Sequence, residues 1–99
     1  MSLPVHLRPL ANADVQRIHA ELERQTPGLG NKFLDRLQEA LDRIEAMPEM
    51  YAEVWRTVRA VRLRRFRHVV YYVVLADRVE VIAVIHGSRN SSAWQSRNV

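Results

Sequence analysis

Leu63-Arg64-Arg65-Phe66-Arg67-His68-Val69-Val70-Tyr71-Tyr72-Val73-Val74-Leu75-Ala76-Asp77-Arg78-Val79-Glu80-Val81-Ile82-Ala83-Val84-Ile85-His86 is the stretch that decides the fold of this 99-residue chain. His68 to Leu75 is apolar on both faces, the pattern of a strand buried in the middle of a sheet. Ala76-Asp77-Arg78 is short and polar, so it turns the chain back. Val79 to His86 then reads as a second strand of largely apolar composition. Upstream, Val58 to Phe66 alternates, with Val61 and Leu63 on one face and Arg62 and Arg64 on the other. Three strands at 58–66, 68–75 and 79–86, joined by short connections, form an antiparallel meander.

Before Pro48 the period changes from two to three and four. Phe33, Leu34, Leu37, Leu41 and Ile44 recur at helical spacing, and Asn31 to Met47 would span roughly 25 Å as a helix. Val15, Ile18 and Leu22 mark an earlier helix, with Asn12 as its expected N-cap and Asp14 and Glu21 on its outer face. Thr26-Pro27-Gly28-Leu29-Gly30 separates the two as a loop, which predicts an antiparallel helix hairpin. Val5 and Leu7, ended by Pro9, read as an edge strand. The expectation is α+β: a single domain over 1–99 in the order β-α-α-β-β-β, its helix hairpin burying an apolar stripe on one face of an antiparallel sheet.

The charge is divided unevenly. Residues 1–50 carry six basic and eight acidic side chains, residues 51–99 nine basic and three acidic. Fourteen of the fifteen basic residues are arginine, and Arg56 to Arg67 holds six of them with no acid between Glu53 and Asp77. Guanidinium forks match phosphates and carboxylates, so an anionic partner is expected. A solvated edge protected from aggregation by arginine is the competing reading. His86 ends the last strand beside Gly87-Ser88-Arg89, a place where a neutral imidazole could act as a base with Arg62, Arg64 and Arg89 near a phosphate; closing the strand as a structural hydrogen-bonder is the alternative. Trp94 stands in an otherwise polar tail. It either folds back on the core or anchors a partner.

Other chemistries are unsupported. With no cysteine there is neither a disulfide nor a thiolate metal site, and no His/Asp/Glu cluster has metal-ligand spacing. The glycines at 28 and 30 lack the Lys-Ser/Thr of a phosphate loop. No cofactor is implied. Met1 to Leu10 has no apolar run of the length a secretory signal needs, and no stretch suits a membrane span, so a cytoplasmic protein with no membrane partner is expected.

The pattern of Leu63-Arg64-Arg65-Phe66-Arg67, a Val/Tyr strand, a hairpin, then Val79 to His86-Gly87-Ser88-Arg89 and Trp94 resembles the RelE/ParE superfamily, the toxins of type II toxin–antitoxin systems, also called plasmid stabilisation proteins. The resemblance covers nearly the whole chain and implies the same fold. RelE-like members cut messenger RNA on the ribosome with sheet arginines or lysines and a C-terminal tyrosine or histidine; ParE-like members lack those groups and inhibit DNA gyrase. Gly87 to Val99 has neither tyrosine nor histidine, which places the chain nearer the ParE-like branch. The resemblance implies that Arg62, Arg64, Arg89 and Trp94 engage gyrase. If the chain were instead a metal-independent endoribonuclease, Arg62, Arg64, His86 and Arg89 would carry it. A third alternative is a degenerate toxin that only partners its antitoxin. It also implies a cognate acidic antitoxin over the helix hairpin and the sheet edge, with Leu22, Phe33, Leu37, Arg59 and Arg65 as contacts. DNA would be bound only indirectly, through that antitoxin.

Overall fold

The computed structural model describes residues 2–97 and shows an α+β architecture. In chain order the elements are β1 (Val5–Leu7), α1 (Pro9–Gln25), α2 (Leu29–Ala46), β2 (Glu53–Trp55), β3 (Val58–Arg62), β4 (His68–Val74), β5 (Val79–His86) and a short α3 (Ser92–Gln95). The sheet runs β1-β5-β4-β3-β2. The expected meander is its centre, with Val61 opposite Val70 and Val70 opposite Val84.

The sheet has two strands more than that meander and is mixed. β1 is an edge strand, as expected, but runs parallel to β5, in register from Val5↔Val79 to Leu7↔Val81. β2, which has no alternating pattern to announce it, pairs antiparallel with β3 at the opposite edge. The strand expected over 58–66 stops at Arg62. The Leu63 N–H donates to the His68 carbonyl at 3.0 Å and Arg65 sits at φ 66°, so residues 63–67 are a turn. Leu63 keeps its inward orientation, which is why the alternation runs on past the strand.

Both helices start earlier than their asparagines imply. α1 begins at Pro9, whose missing N–H costs nothing at the first helical position. Asn12 is already inside, its N–H bonded to the Arg8 carbonyl. α2 begins at Leu29 after Gly28, at φ 89°, with Asn31 in its first turn. The Glu23 carboxylate accepts the N–H groups of Gly28, Gly30 and Asn31 at 2.8–3.3 Å, so an α1 side chain caps α2. Those backbone donors, Gly28's first, hold its carboxyl below the usual glutamate value. Gly30 has no room for more: a β-carbon there would lie 2.7 Å from the His19 carbonyl oxygen.

One sheet face carries the main core, where Ala11, Val15 and Ile18 of α1 and Phe33, Leu37, Ala40 and Ile44 of α2 meet Val61, Val70, Tyr72, Val81 and Val84. Tyr72 is fully buried, its hydroxyl donates to the Pro48 carbonyl at 2.8 Å, and burial pushes its pKa up to about 12. A second, smaller core lies on the other face, where Trp94 of α3 covers Val58, Val73, Ile82 and Ile85. A register shift between Tyr71 and Tyr72 leaves Ile82 without a partner in β4. Ile82 and Ala83 therefore both face the second core, while Val81 and Val84 face the helices.

Asp14 corrects an expectation. It is not on the outer face of α1 but 5% exposed, because α1's buried stripe passes through 11, 14, 15 and 18.

A cationic cleft beside a histidine pair

The sheet's architecture gathers positive charge at one end. The 63–67 turn, the C-terminal end of β5 and the second half of α1 enclose a cleft of about 610 Å³. Arg17 and Glu21 come from α1, Arg65 and Arg67 from the turn, and Arg89 from the segment after β5. The guanidinium groups of Arg65, Arg67 and Arg89 have no hydrogen-bond or ion-pair partner among the described residues. Glu21, the one acid in the lining, is 3.9 Å from Arg17.

Two imidazoles form part of the wall. His68 opens β4 and His86 closes β5, and the antiparallel register sets them directly opposite. Their ring centroids are 5.5 Å apart at 78°. The His68 ring also meets Phe33 edge-on at 5.2 Å. Its Nδ1 is buried with no hydrogen-bond partner. Burial first, and the neighbouring His86 second, lower its pKa from the ordinary histidine value, so the ring is held neutral. His86 is bound differently. Its Nδ1 accepts the Ser88 backbone N–H at 3.1 Å, with the Ser88 hydroxyl at 2.8 Å. A ring whose Nδ1 accepts carries its neutral-state proton on Nε2.

The residues singled out in the sequence do not converge. His86 and Arg89 share the cleft. Arg62 lies on the Trp94 face of the sheet, its guanidinium 3.6 Å from where a β-carbon on Gly87 would sit. Arg64 reaches toward α2, 3.9 Å from Glu39. Trp94 has folded back: it is 5% exposed, stacked on Tyr71 at 4.3 Å and edge-on to Trp55 at 5.7 Å, so it offers no surface to a target. Of the expected antitoxin contacts, Phe33 is 0% and Leu37 5% exposed, their area spent on the sheet. Arg59 donates to the carbonyls of Tyr51 and Glu49 and fixes the 49–53 segment. Leu22 and Arg65 remain at the surface, on the rim of the cleft. His68, Arg17 and Arg67 were missed. Period two could have found His68, since it shares a face with Val70 and Tyr72.

Several exposed apolar side chains lie away from the cleft. Val54 of β2 and Met47 and Met50 of the connection before it stand in solvent, and Leu3, Met47, Pro48 and Met50 line a groove of about 340 Å³. Among the described residues, no three His, Cys, Asp or Glu side chains come together as a metal site, and no helix is long and apolar enough to cross a membrane.

The family model described as the ParE toxin of the type II toxin–antitoxin system parDE matches residues 5–91. Among solved structures, a chain of the chromosomal ParDE TA system from P. aeruginosa is similar with a TM-score of 0.76 at 15% identity. The likeness covers 86% of this chain and 96% of that one, and at such identity it speaks for the fold. No curated protein sequence matches.

Proposed function

The chain belongs to the ParE toxin family of type II toxin–antitoxin systems, and from that premise we propose that it arrests bacterial growth by acting on DNA gyrase in the cytoplasm, neutralised by a cognate antitoxin. The observation that carries the choice of target is the dispersal of the would-be nuclease residues. Cleaving RNA without a metal needs a base within hydrogen-bond reach of the 2′-hydroxyl and cations around one phosphate. Arg62 and Arg64 point to different sides of the molecule, and His86 presents a protonated Nε2 while its lone pair is held by Ser88. A toxin that binds an enzyme and stalls it needs no such constellation. Its contact surface is then the cationic end, with Arg62, Arg65, Arg67 and Arg89.

The antitoxin's place is argued from the opposite edge. β2 is an edge strand, Val54 within it is exposed, and Met47 and Met50 on the connection leading into it are apolar and uncovered. An extended antitoxin segment that adds a strand to β2 and buries these side chains satisfies both. Such a segment, disordered until bound, suits a protein that must be cleared to release the toxin.

The test is pulse-labelling after induced expression, with DNA and protein synthesis followed in parallel. DNA synthesis stopping first, together with loss of supercoiling by purified gyrase at micromolar toxin, is the expected result. Protein synthesis stopping first, with cleaved messenger RNA, overturns the reading. Absence of any growth arrest identifies a degenerate toxin.

A further inference from the structure

The cationic cleft concentrates more like charge than the fold needs. Arg17, Arg65, Arg67, Arg89 and two imidazoles face one carboxylate, Glu21, which is already beside Arg17. No part of the sheet or hairpin requires Arg65, Arg67 or Arg89, whose guanidinium groups touch no acid among the described residues. Three exposed guanidinium groups without acidic partners around one concave surface raise the positive potential there and attract an anion. The cleft is half-open to solvent, and its volume of about 610 Å³ gives room for a phosphate and a group attached to it.

We propose that this cleft binds a phosphate group, gripped by the guanidinium forks of Arg67 and Arg89, with the His86 Nε2–H as a further donor and His68 behind it. Three features favour phosphate over a carboxylate peptide. Guanidinium planes present paired donors that match phosphate oxygens on more than one side, which a single carboxylate cannot fill. The His86 tautomer fixed by Ser88 supplies a donor even when the ring is neutral. The Phe66 and His68 rings, 6.3 Å apart and tilted 50° to one another, add aromatic surface to the wall on which a base attached to the anion can stack.

His68 makes the binding proton-linked. Arg17 and Glu21 face it from α1, His86 from β5, Arg65, Phe66 and Arg67 from the turn, Arg89 from beyond β5, and Phe33 from α2. In the free protein this net positive, partly buried setting keeps the ring neutral. A bound anion reverses the local field, so His68 takes up a proton as the ligand arrives. Binding therefore tightens as pH falls through the histidine range. The cleft shares Arg65, Arg67 and Arg89 with the surface assigned above to gyrase, but phosphate binding is read on the purified toxin without gyrase, so either reading can fail alone.

The experiment is a titration of the full chain, at constant ionic strength, with inorganic pyrophosphate and with a short single-stranded oligonucleotide, following the ring signals of His68 and His86 by NMR. Saturable shifts of both rings are expected, with affinity about tenfold higher near pH 6 than near pH 8. The Arg67→Gln/Arg89→Gln variant, which removes no contact of the fold, should keep its melting temperature and weaken binding by about tenfold. Binding by pyrophosphate alone identifies a small phosphorylated ligand; tighter binding by the oligonucleotide identifies a nucleic-acid backbone. No saturable shift, equal weakening by Arg24→Gln/Arg56→Gln outside the cleft, or equal affinity for an oligoglutamate peptide would each overturn the proposal.

Discussion

Asp14 of α1 and Arg97, 83 residues later, form a two-bond ion pair at 2.6 and 3.1 Å that completes the open edge of β5. β1 pairs with β5 only as far as Val81, so the next backbone groups lack a neighbouring strand. The Asp14 carboxylate accepts the Val84 N–H at 3.0 Å, and Arg97 donates to the Ile82 carbonyl at 3.0 Å. The pair thus does for the bulged part of β5 what β1 does for its start, and it fastens the C-terminal segment to α1. Removing Arg97 leaves the buried Asp14 carboxylate with Arg17 at 3.3 Å and the Val84 N–H, whereas removing Asp14 strands both the Val84 N–H and the Arg97 guanidinium. Asp14→Ala should cost about 3 kcal/mol and Arg97→Ala about 2 kcal/mol, less because Asp14 then keeps Arg17 and the Val84 N–H as partners. In urea denaturation the double variant should lose less than the sum of the two. Additive losses would show that the two residues act separately.

Stability should fall on mild acidification, and His68 should be the reason. Its pKa is lower folded than unfolded, chiefly because burial disfavours the charged ring. Between the two values the unfolded chain binds the extra proton, so stability is full above the ordinary value of 6.5 and is lost as pH falls through the lower, folded value. His68→Phe should flatten this part of the pH profile, measured by urea midpoints. An unchanged slope would assign the effect to other groups.

The meander and the helix hairpin were legible because single residues repeat a pattern many times. Val61, Val70 and Tyr72 mark the helix-facing side of the sheet at period two, and Phe33, Leu37 and Ile44 mark the hairpin at helical spacing. What escaped lacks such redundancy. β2 is three residues with no buried side chain to alternate. β5 is apolar on both faces, so its composition is the same with or without the Ile82 bulge. Asp14 looks like a surface residue until its partner is found at position 97. The site failed similarly: Arg62 and Arg64 lie close in sequence, but the chain leaves the strand between them and sends them to different faces.

The close approach of the two helices leaves Gly30 without substitutes. A β-carbon at that position would meet a backbone carbonyl of α1 at 2.7 Å, which no side-chain rotation relieves. Gly30→Ala should cost about 2 kcal/mol, the usual range for a forced backbone shift in a packed interior. Gly28→Ala, where a β-carbon meets nothing but the backbone sits at φ 89°, should cost about 1 kcal/mol. Thermal melts of both variants distinguish crowding from backbone strain; equal losses would mean that the hairpin loop yields at both sites.

Trp94 should matter to folding and not to the target. Stacked on Tyr71 and closing the second core, it should cost about 3 kcal/mol when replaced by alanine and about 1 kcal/mol when replaced by phenylalanine. Trp94→Phe should then inhibit gyrase like the parent chain at a temperature where both are folded. A folded Trp94→Phe protein that has lost inhibition would return the residue to the contact surface.

Neutralisation and toxicity should separate along the sheet. Val54 on β2, at the edge assigned to the antitoxin and far in the strand order from β5, is 55% exposed, and Met50 on the connection leading into β2 is also exposed. Val54→Lys/Met50→Lys buries no charge in the free toxin, so its melting temperature should stay within a few degrees of the parent. It places two ammonium groups where an antitoxin segment must pack, and should weaken that complex by about 100-fold. Growth arrest should then persist in cells that co-express the antitoxin, measured as colony formation under dual induction. Full rescue by the antitoxin would move its docking site away from β2 and toward the helix hairpin.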